Sequence, residues 1–152
     1  MDSTFRSATA SDITTLLGFI GELYEHEQIM FNKDIIRAGL EQIVQDDSLG
    51  RVWLIYWKDE AIGYMVLTFG YSLEFHGRDA LVDELYIREE YRRCGIGTKA
   101  LQFVEEICCS LGIEALHLVV ERKNTQAQSF YRQLGFEEQD RYLMTKWIPS
   151  KS

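Results

Sequence analysis

The amino-acid sequence predicts one α/β domain, residues 1–152, built on a mixed sheet. At 152 residues, the chain has the size of a domain with a single hydrophobic core. Two patterns carry the prediction. Runs rich in β-branched and aromatic residues are typical of strands, and apolar residues recurring every three to four positions are typical of helices. Their order, β-α-α-β-β-β-α-β-α-β, is that of an α/β domain.

The first half predicts an edge strand and two helices. The strand covers 4–8, and Thr9 with Asp12 then forms a typical helix start. The first helix carries an apolar face made by Ile13, Leu16, Leu17, Ile20 and Tyr24. Asn32 is a typical cap for a second helix that continues to Val44.

Two strands are predicted at 51–58 and 62–72, rich in Val, Ile, Trp and Tyr. The short polar connection 58–61 between them predicts a hairpin. A loop at 70–78 and another strand at 80–87 follow.

The second half predicts a helix at 98–111, with Gly112 as its C-terminal stop. The apolar run 115–120 is typical of a strand buried on both faces. Asn124 then caps another helix. The final strand is predicted at 142–148.

Charge and hydropathy narrow the class of protein. The formal net charge is −8, from 24 acidic and 16 basic residues. This field repels nucleic acid, whereas it attracts a cationic small molecule or simply keeps the chain in solution. The sequence contains no run of eighteen apolar residues, so it predicts no membrane-spanning helix. Since the N-terminus shows no secretory signal pattern, we expect a cytoplasmic protein.

The cysteines and histidines predict neither a disulfide framework nor a metal site. The three cysteines are Cys94, Cys108 and Cys109, an odd number without C-x-x-C spacing. Cys108 and Cys109 fit a buried helix face, whereas Cys94 lies in a glycine-rich turn. The histidines are not clustered, and His117 fits a core position in an apolar strand.

The segment 91–98, Tyr-Arg-Arg-Cys-Gly-Ile-Gly-Thr, joins a predicted strand to a predicted helix. Gly95 and Gly97 allow unusual backbone dihedrals and close approach to a ligand. The free amides and the positive dipole end of a helix start favour an anion. The side chains that can add contacts are Thr98, Arg92 and Arg93. The segment therefore suits a pyrophosphate, and we call it the phosphate turn.

Two other phosphate loops are excluded by spacing. A dinucleotide fingerprint needs G-x-G-x-x-G, but Ala100 stands at the third glycine. A P-loop needs G-K-[ST], but Gly97 is followed by Thr98 and then Lys99.

A second motif accompanies the turn. Arg92-x-x-Gly95-x-Gly97 is followed by Asn124-x-x-Ala127-x-x-Phe130-Tyr131-x-x-x-Gly135-Phe136. In this order and spacing the chain resembles the GNAT superfamily of acetyl-CoA-dependent N-acetyltransferases. The motifs span 81–136, and the first eighty residues match by element order alone. The resemblance implies a mixed, mostly antiparallel central sheet of six to seven strands flanked by about four helices. A homodimer is one expected assembly.

The resemblance also implies a set of residues that bind acetyl-CoA. The strand segment Leu85, Tyr86 and Ile87 would pair with the pantetheine arm, and Asn124 would contact the same arm. The pyrophosphate would be held by Arg92, Arg93, Cys94, Gly95, Ile96, Gly97 and Thr98. Many family turns have glycine where this chain has Arg93. The position is expected to tolerate arginine, because the backbone conformation requires glycine at Gly95 and Gly97 instead.

Three residues are candidates for the chemistry. The resemblance implies that Tyr131 protonates the departing thiolate, and a tyrosine with a pKa near 10 can do so. Helical spacing alone would place Tyr131 in the core. The family often uses a carboxylate before the turn to deprotonate the amine. Asp83 and Glu84 both stand there, and they point to opposite faces unless a bulge intervenes. Glu84 is slightly favoured.

The acceptor is expected to be the primary amine of a small cationic molecule. The segment 71–86 is similar to the diamine and polyamine branch of the family. The residues that could line an acidic acceptor pocket are Glu22, Glu25, His26, Glu27, Glu74 and His76. These residues could equally be exposed loop charges. Alternatives are a protein or peptide N-acetyltransferase and a CoA-binding sensor without turnover.

Overall fold

The computed structural model describes residues 3–150. The strands are β1 (Ser3–Ser7), β2 (Gly50–Trp57), β3 (Glu60–Ser72), β4 (Gly77–Ile87) and β5 (Ala115–Leu118). The helices are α1 (Ile13–Glu27), α2 (Lys33–Gln45), α3 (Ile96–Ser110) and α4 (Thr125–Gln133), with short 3-10 turns at Ala10–Asp12 and Glu89–Tyr91. The predicted class, helices packed on one mixed sheet, is confirmed, and the mostly antiparallel pairing makes it an α+β fold. The described residues contain no helix that is long and apolar enough to span a membrane.

The five strands form one mixed sheet in the order β1-β2-β3-β4-β5. The pairs from β1 to β4 are antiparallel, and only β4 and β5 are parallel. The mostly antiparallel arrangement was predicted correctly, but residues 3–150 form a sheet of five strands rather than six or seven. The predicted strand at 142–148 is wrong, since this stretch has no regular structure. Its apolar pattern suits a strand, but a strand also needs a hydrogen-bonded neighbour.

The chain divides into two compact units. The first ends at Val119 and contains the sheet with α1, α2 and α3, and the second begins at Val120 and contains α4. Each is described below by itself. The organisation of residues 1–152 as one domain stays a prediction.

Helices cover both faces of the sheet in the first unit. Successive residues of a strand point to opposite faces. Leu54 of β2 therefore packs in the core formed with α1 and α2. Its neighbour Trp53 meets Phe103 of α3 edge-on, with ring centroids 5.4 Å apart. Burial of each such large apolar side chain contributes about 1.5–3 kcal/mol, which holds β3 and β4 between two helical layers.

A β-bulge interrupts the pairing of β3 with β4. Val66 lies opposite Glu84, but Leu67 lies opposite Val82, so Asp83 is an extra residue on β4. Residues two apart on a regular strand share a face. Val66 belongs to the core beside α1 and α2, and its neighbour Leu67 faces the other way. Their partners Glu84 and Val82 therefore lie on opposite faces of the sheet, although they are two residues apart. Glu84 therefore lies on the α1 side of the sheet.

Two other predictions needed correction. The loop at 70–78 is shorter than predicted, because Gly70 pairs with Asp79 and Ser72 with Gly77, which leaves only 73–76 as the turn. β5 is half-buried along its whole length rather than fully buried. His117 on this strand is hydrogen-bonded to Asp79 over 3.0 Å and is 29% exposed.

Candidate active site

The phosphate turn has a backbone suited to an anion. Gly95 is the N-cap of α3 with φ +82°, and no side chain among the described residues caps this helix. The amides of its first turn, at Ile96, Gly97 and Thr98, therefore lack the side-chain oxygen that usually occupies a helix start. Together with the helix dipole, these N–H groups favour a phosphate. This backbone arrangement suits the predicted anion cradle, and the binding of a phosphate there stays a prediction.

Two details of the turn differ from the prediction. Gly97 lies inside α3 and does not share the positive φ of Gly95, so unusual dihedrals were wrongly expected there. Arg93 instead has φ +64°. A left-handed conformation costs a non-glycine residue about 1–2 kcal/mol. The position is therefore demanding, and this explains why glycine suits it.

Arg92 is tied to the end of β4. Its Nε donates to the carbonyl oxygen of Ile87 over 2.7 Å, and its guanidinium lies 5.6 Å from the ring centroid of Tyr86. The side chain stays exposed, so its positive charge lies beside the turn. Cys94 is also exposed, and its thiol donates weakly to the Arg92 carbonyl oxygen at 3.5 Å.

One edge of β4 opens beside the turn. Pairing with β5 ends at Val82 and Leu118, although β4 continues to Ile87 and stays paired with β3. Among the described residues no strand pairs with 83–87 on the β5 side. Alternate backbone amides and carbonyls there can accept an extended chain as though it were another strand.

Glu84 is held by two tyrosines from different elements. Tyr24 of α1 donates to its Oε2 over 2.5 Å, and Tyr64 of β3 donates to its Oε1 over 2.7 Å. Burial raises the pKa of Glu84, and the charges of Asp83 and Glu27 add to this, although both tyrosine hydrogen bonds work against it. A carboxylate with a raised pKa is suited to accepting a proton near neutral pH.

Asp83, the bulge residue, is more exposed than Glu84. Desolvation raises the pKa of Asp83 as well. The two carboxylates are close enough that the charge of Asp83 raises the pKa of Glu84. The two predicted candidates for the base therefore lie close together, and their roles stay predictions.

An acidic cavity of about 330 Å³ lies between α1 and the end of β4. It is lined by Glu22, Glu25, His26, Tyr86, Glu89 and Arg92. Tyr86 donates to Glu22 Oε1 over 2.7 Å, and Arg88 makes an ion pair with Oε2 over 3.2 Å. Burial acts to raise the pKa of Glu22, but these two partners outweigh it and lower the pKa. Glu22 therefore stays ionised.

The structure does not bring all the predicted acceptor residues to this cavity. Glu74 and His76 lie in the turn between β3 and β4, at the opposite end of β4. The length of β4 places Glu74 and His76 about 30 Å from the cavity. Glu27 is near Glu84 instead, since its charge raises the pKa of that carboxyl.

The second unit contains the other predicted motif. The side-chain oxygen of Asn124 accepts from the amide of Ala127 over 3.1 Å and caps α4, as predicted. The ring of Tyr131 lies 5.3 Å from that of Phe130 and 6.0 Å from that of Phe136. Because the helix cap uses the side-chain oxygen of Asn124, the NH₂ group of the same side chain stays available to a ligand.

Sequence reasoning missed Tyr24 and Tyr64 as site residues. Tyr24 was placed on the apolar face of the first helix, and Tyr64 lies in a run of buried strand residues. The available signal was the hydroxyl itself, because a buried tyrosine oxygen usually requires a polar partner. Which partner it finds depends on pairing across the sheet.

An uncapped helix start, an open strand edge and a half-buried carboxylate on that strand suit a CoA-binding acyltransferase. The chain belongs to the GNAT acetyltransferase family, whose model matches residues 18–136. It is 27% identical to the thialysine N-epsilon-acetyltransferase of Bos taurus, covering 88% of this chain and 83% of that protein. The chain is an N-acetyltransferase that uses acetyl-CoA as its co-substrate.

Solved structures share the fold. An integron cassette protein from the Cole Harbour Salt Marsh metagenome has a TM-score of 0.84 at 32% identity, covering 96% of this chain and 91% of that one. An aminoglycoside N-acetyltransferase in complex with CoA has a TM-score of 0.80 at 18% identity, covering 95% and 94%. Within residues 3–150, no group of three or more His, Cys, Asp or Glu side chains is placed to hold a metal ion.

Proposed function

We propose that this enzyme acetylates the primary amine of a small cationic molecule, such as a diamine or polyamine. The observation that carries the proposal is the acidic cavity beside the phosphate turn, whose lining contains three glutamates, Glu22, Glu25 and Glu89, and one arginine, Arg92. Carboxylates concentrated in a small cavity attract a cation. The similarity to a thialysine N-epsilon-acetyltransferase supports an acceptor that carries a primary amine on an aliphatic chain.

The co-substrate is assigned to the residues around the turn. The uncapped amides of Ile96, Gly97 and Thr98 bind the pyrophosphate, with the charges of Arg92 and Arg93 nearby. The free edge at Leu85, Tyr86 and Ile87 pairs with the pantetheine arm, and the NH₂ group of Asn124 contacts that arm. Acetyl-CoA supplies the acetyl group as a thioester.

The proton steps are assigned to carboxylate and phenol groups. The acceptor binds as an ammonium ion, and Glu84 takes one proton, directly or through water, so that the nitrogen lone pair is free to attack the thioester carbonyl. The C–S bond breaks as the C–N bond forms, and Tyr131 donates its hydroxyl proton to the departing sulfur. The acylated nitrogen releases its second proton to solvent, and the Tyr131 phenolate takes a proton back from solvent. Asp83 is the second candidate for the base. The role of Tyr131 rests on the sequence motif.

A panel of amines tests the acceptor class. Diamines, polyamines, lysine analogues, aminoglycosides and peptides are each supplied with acetyl-CoA, and release of free thiol is measured. We expect the highest kcat/KM for small aliphatic di- and polyamines, and lower values for Glu25→Gln together with Glu89→Gln. Turnover confined to peptide N-termini, or CoA binding without turnover of any amine, would overturn the proposal.

The role of Tyr131 has its own test. Tyr131→Phe removes the hydroxyl and keeps the ring, so CoA binding should persist while kcat falls by about 10²-fold or more. Binding is followed by calorimetry and kcat by thiol release, with Phe130→Leu as a neighbouring control for packing. An unchanged kcat would remove Tyr131 from the mechanism.

Two expectations about the whole protein remain predictions. We expect a homodimer, which sedimentation of the purified chain would detect. We also expect a cytoplasmic location, which fractionation of source cells would test.

A further inference from the structure

We propose that Tyr24 and Tyr64 are positioning residues that hold the Glu84 carboxylate ionised and oriented for proton transfer. The inference rests on the proposed function, in which Glu84 is the base. It adds two residues that belong to neither family motif identified in the sequence.

The geometry fixes the carboxylate from two sides. Tyr24 comes from α1 and Tyr64 from β3, and each donates to a different oxygen, over 2.5 and 2.7 Å. Two hydrogen bonds from separate elements determine the plane of the carboxylate. Each oxygen keeps a second acceptor position, so the carboxylate can still accept a proton from an amine or a bridging water.

The β-bulge makes this arrangement possible. Glu84 faces α1 only because the extra residue Asp83 changes the face of the strand between Val82 and Glu84. In regular pairing, Glu84 would share the face of Val82 and could not reach Tyr24. The bulge and the two tyrosines thus act together on one carboxylate.

The surrounding charges show what the tyrosines do. The groups that face Glu84 are Tyr24 and Glu27 on α1, Tyr64 on β3 and Asp83 on β4. Burial and the two acidic neighbours favour the protonated carboxyl, whereas the two hydroxyls favour the carboxylate. Burial, followed by the interactions with Glu84, raises the pKa of both tyrosines, so they remain proton donors across the physiological range.

The two tyrosines differ in their packing. The Tyr64 side chain is fully buried, so its hydroxyl needs a partner for structural reasons alone. Tyr24 is only half-buried, and its ring meets Phe31 edge-on with the centroids 6.0 Å apart. Tyr24→Phe is therefore the cleaner variant, because it removes one hydrogen bond while the ring stays in place.

The experiment compares pH profiles of kcat/KM. For Tyr24→Phe and Tyr64→Phe we expect the acid limb to move to higher pH, with about a tenfold loss on the acid side and little loss on the alkaline side. The control is Tyr71→Phe. Tyr71 lies on β3, like Tyr64, but is 73% exposed, so the pH profile of this variant should match that of the parent protein. A loss that is equal at every pH, or no loss, would overturn the proposal.

A second measurement does not depend on turnover. The Glu84 carboxyl is titrated by ¹³C NMR in glutamate-labelled protein, with its signal assigned by Glu84→Gln. The pKa should be higher in Tyr24→Phe than in the parent protein, and an unchanged pKa contradicts the inference. If Glu84→Gln keeps full activity, the assignment of Glu84 as base fails, and the titration alone decides the role of the tyrosines.

Discussion

Glu84→Gln is expected to lower kcat/KM by about 10²- to 10⁴-fold, the usual contribution of a general base. The amide has nearly the same shape as the carboxylate but cannot accept a proton from the ammonium ion. Since burial raises the pKa of Glu84, the parent enzyme should lose activity as the pH falls through this raised value. The acid limb should disappear in Glu84→Gln. Thiol release between pH 5 and pH 10 measures both effects.

Asp83→Asn is the matched comparison, because it makes the same change one residue earlier. If Glu84 is the base, Asp83→Asn should lose far less activity and should move the acid limb to lower pH, since a repelling charge is removed. Loss concentrated in Asp83→Asn instead would transfer the role to Asp83.

The fold should survive Glu84→Gln. A carboxyl whose pKa is higher in the folded than in the unfolded state destabilises the fold as pH rises through that range. Removing its charge should therefore leave the melting temperature at pH 8 equal or higher. A marked fall in melting temperature would mean that the activity loss came from unfolding.

Gly97→Trp is expected to weaken the binding of CoA strongly. Gly97 is the second residue of α3, where the amides of the helix start lack a side-chain cap, and a large side chain there competes with a pyrophosphate for space. A loss of the anion site removes several charge-assisted hydrogen bonds, so we expect at least a 10²-fold rise in Kd by calorimetry.

Gly39→Trp is the control for this change. Gly39 is also helical, on α2, and a Cβ there would meet nothing within 4 Å. CoA binding should match that of the parent protein. A Gly97→Trp variant that binds CoA with the parent Kd would show that the anion is held elsewhere.

Local signals predicted most of the elements correctly. The capping side chains of Asn32 and Asn124 occupy the helix starts that their chemistry favours, and Gly112 adopts the left-handed conformation of a helix stop. These features depend on a few adjacent residues, so sequence alone is sufficient for them. The strand at 142–148 failed because pairing depends on a distant partner.

The phosphate turn shows what a sequence motif can predict about a site and what it cannot. The sequence placed the glycines before a helix, which is enough to predict an anion cradle. It could not show that Arg93 carries a positive φ, or that Gly97 is helical, because dihedral angles depend on how the turn closes between β4 and α3.

The sequence by itself determined the order of the elements up to α4, the glycine turn at the start of α3 and the adjacent pair Asp83 and Glu84, since each is a property of neighbouring residues. Only the tertiary structure decided the surroundings of that pair. The bulge at Asp83 arises from register between β3 and β4, and it turns Glu84 toward Tyr24, sixty residues away in the chain. The pKa of a carboxyl depends on burial and on such partners, which come together only when the chain folds.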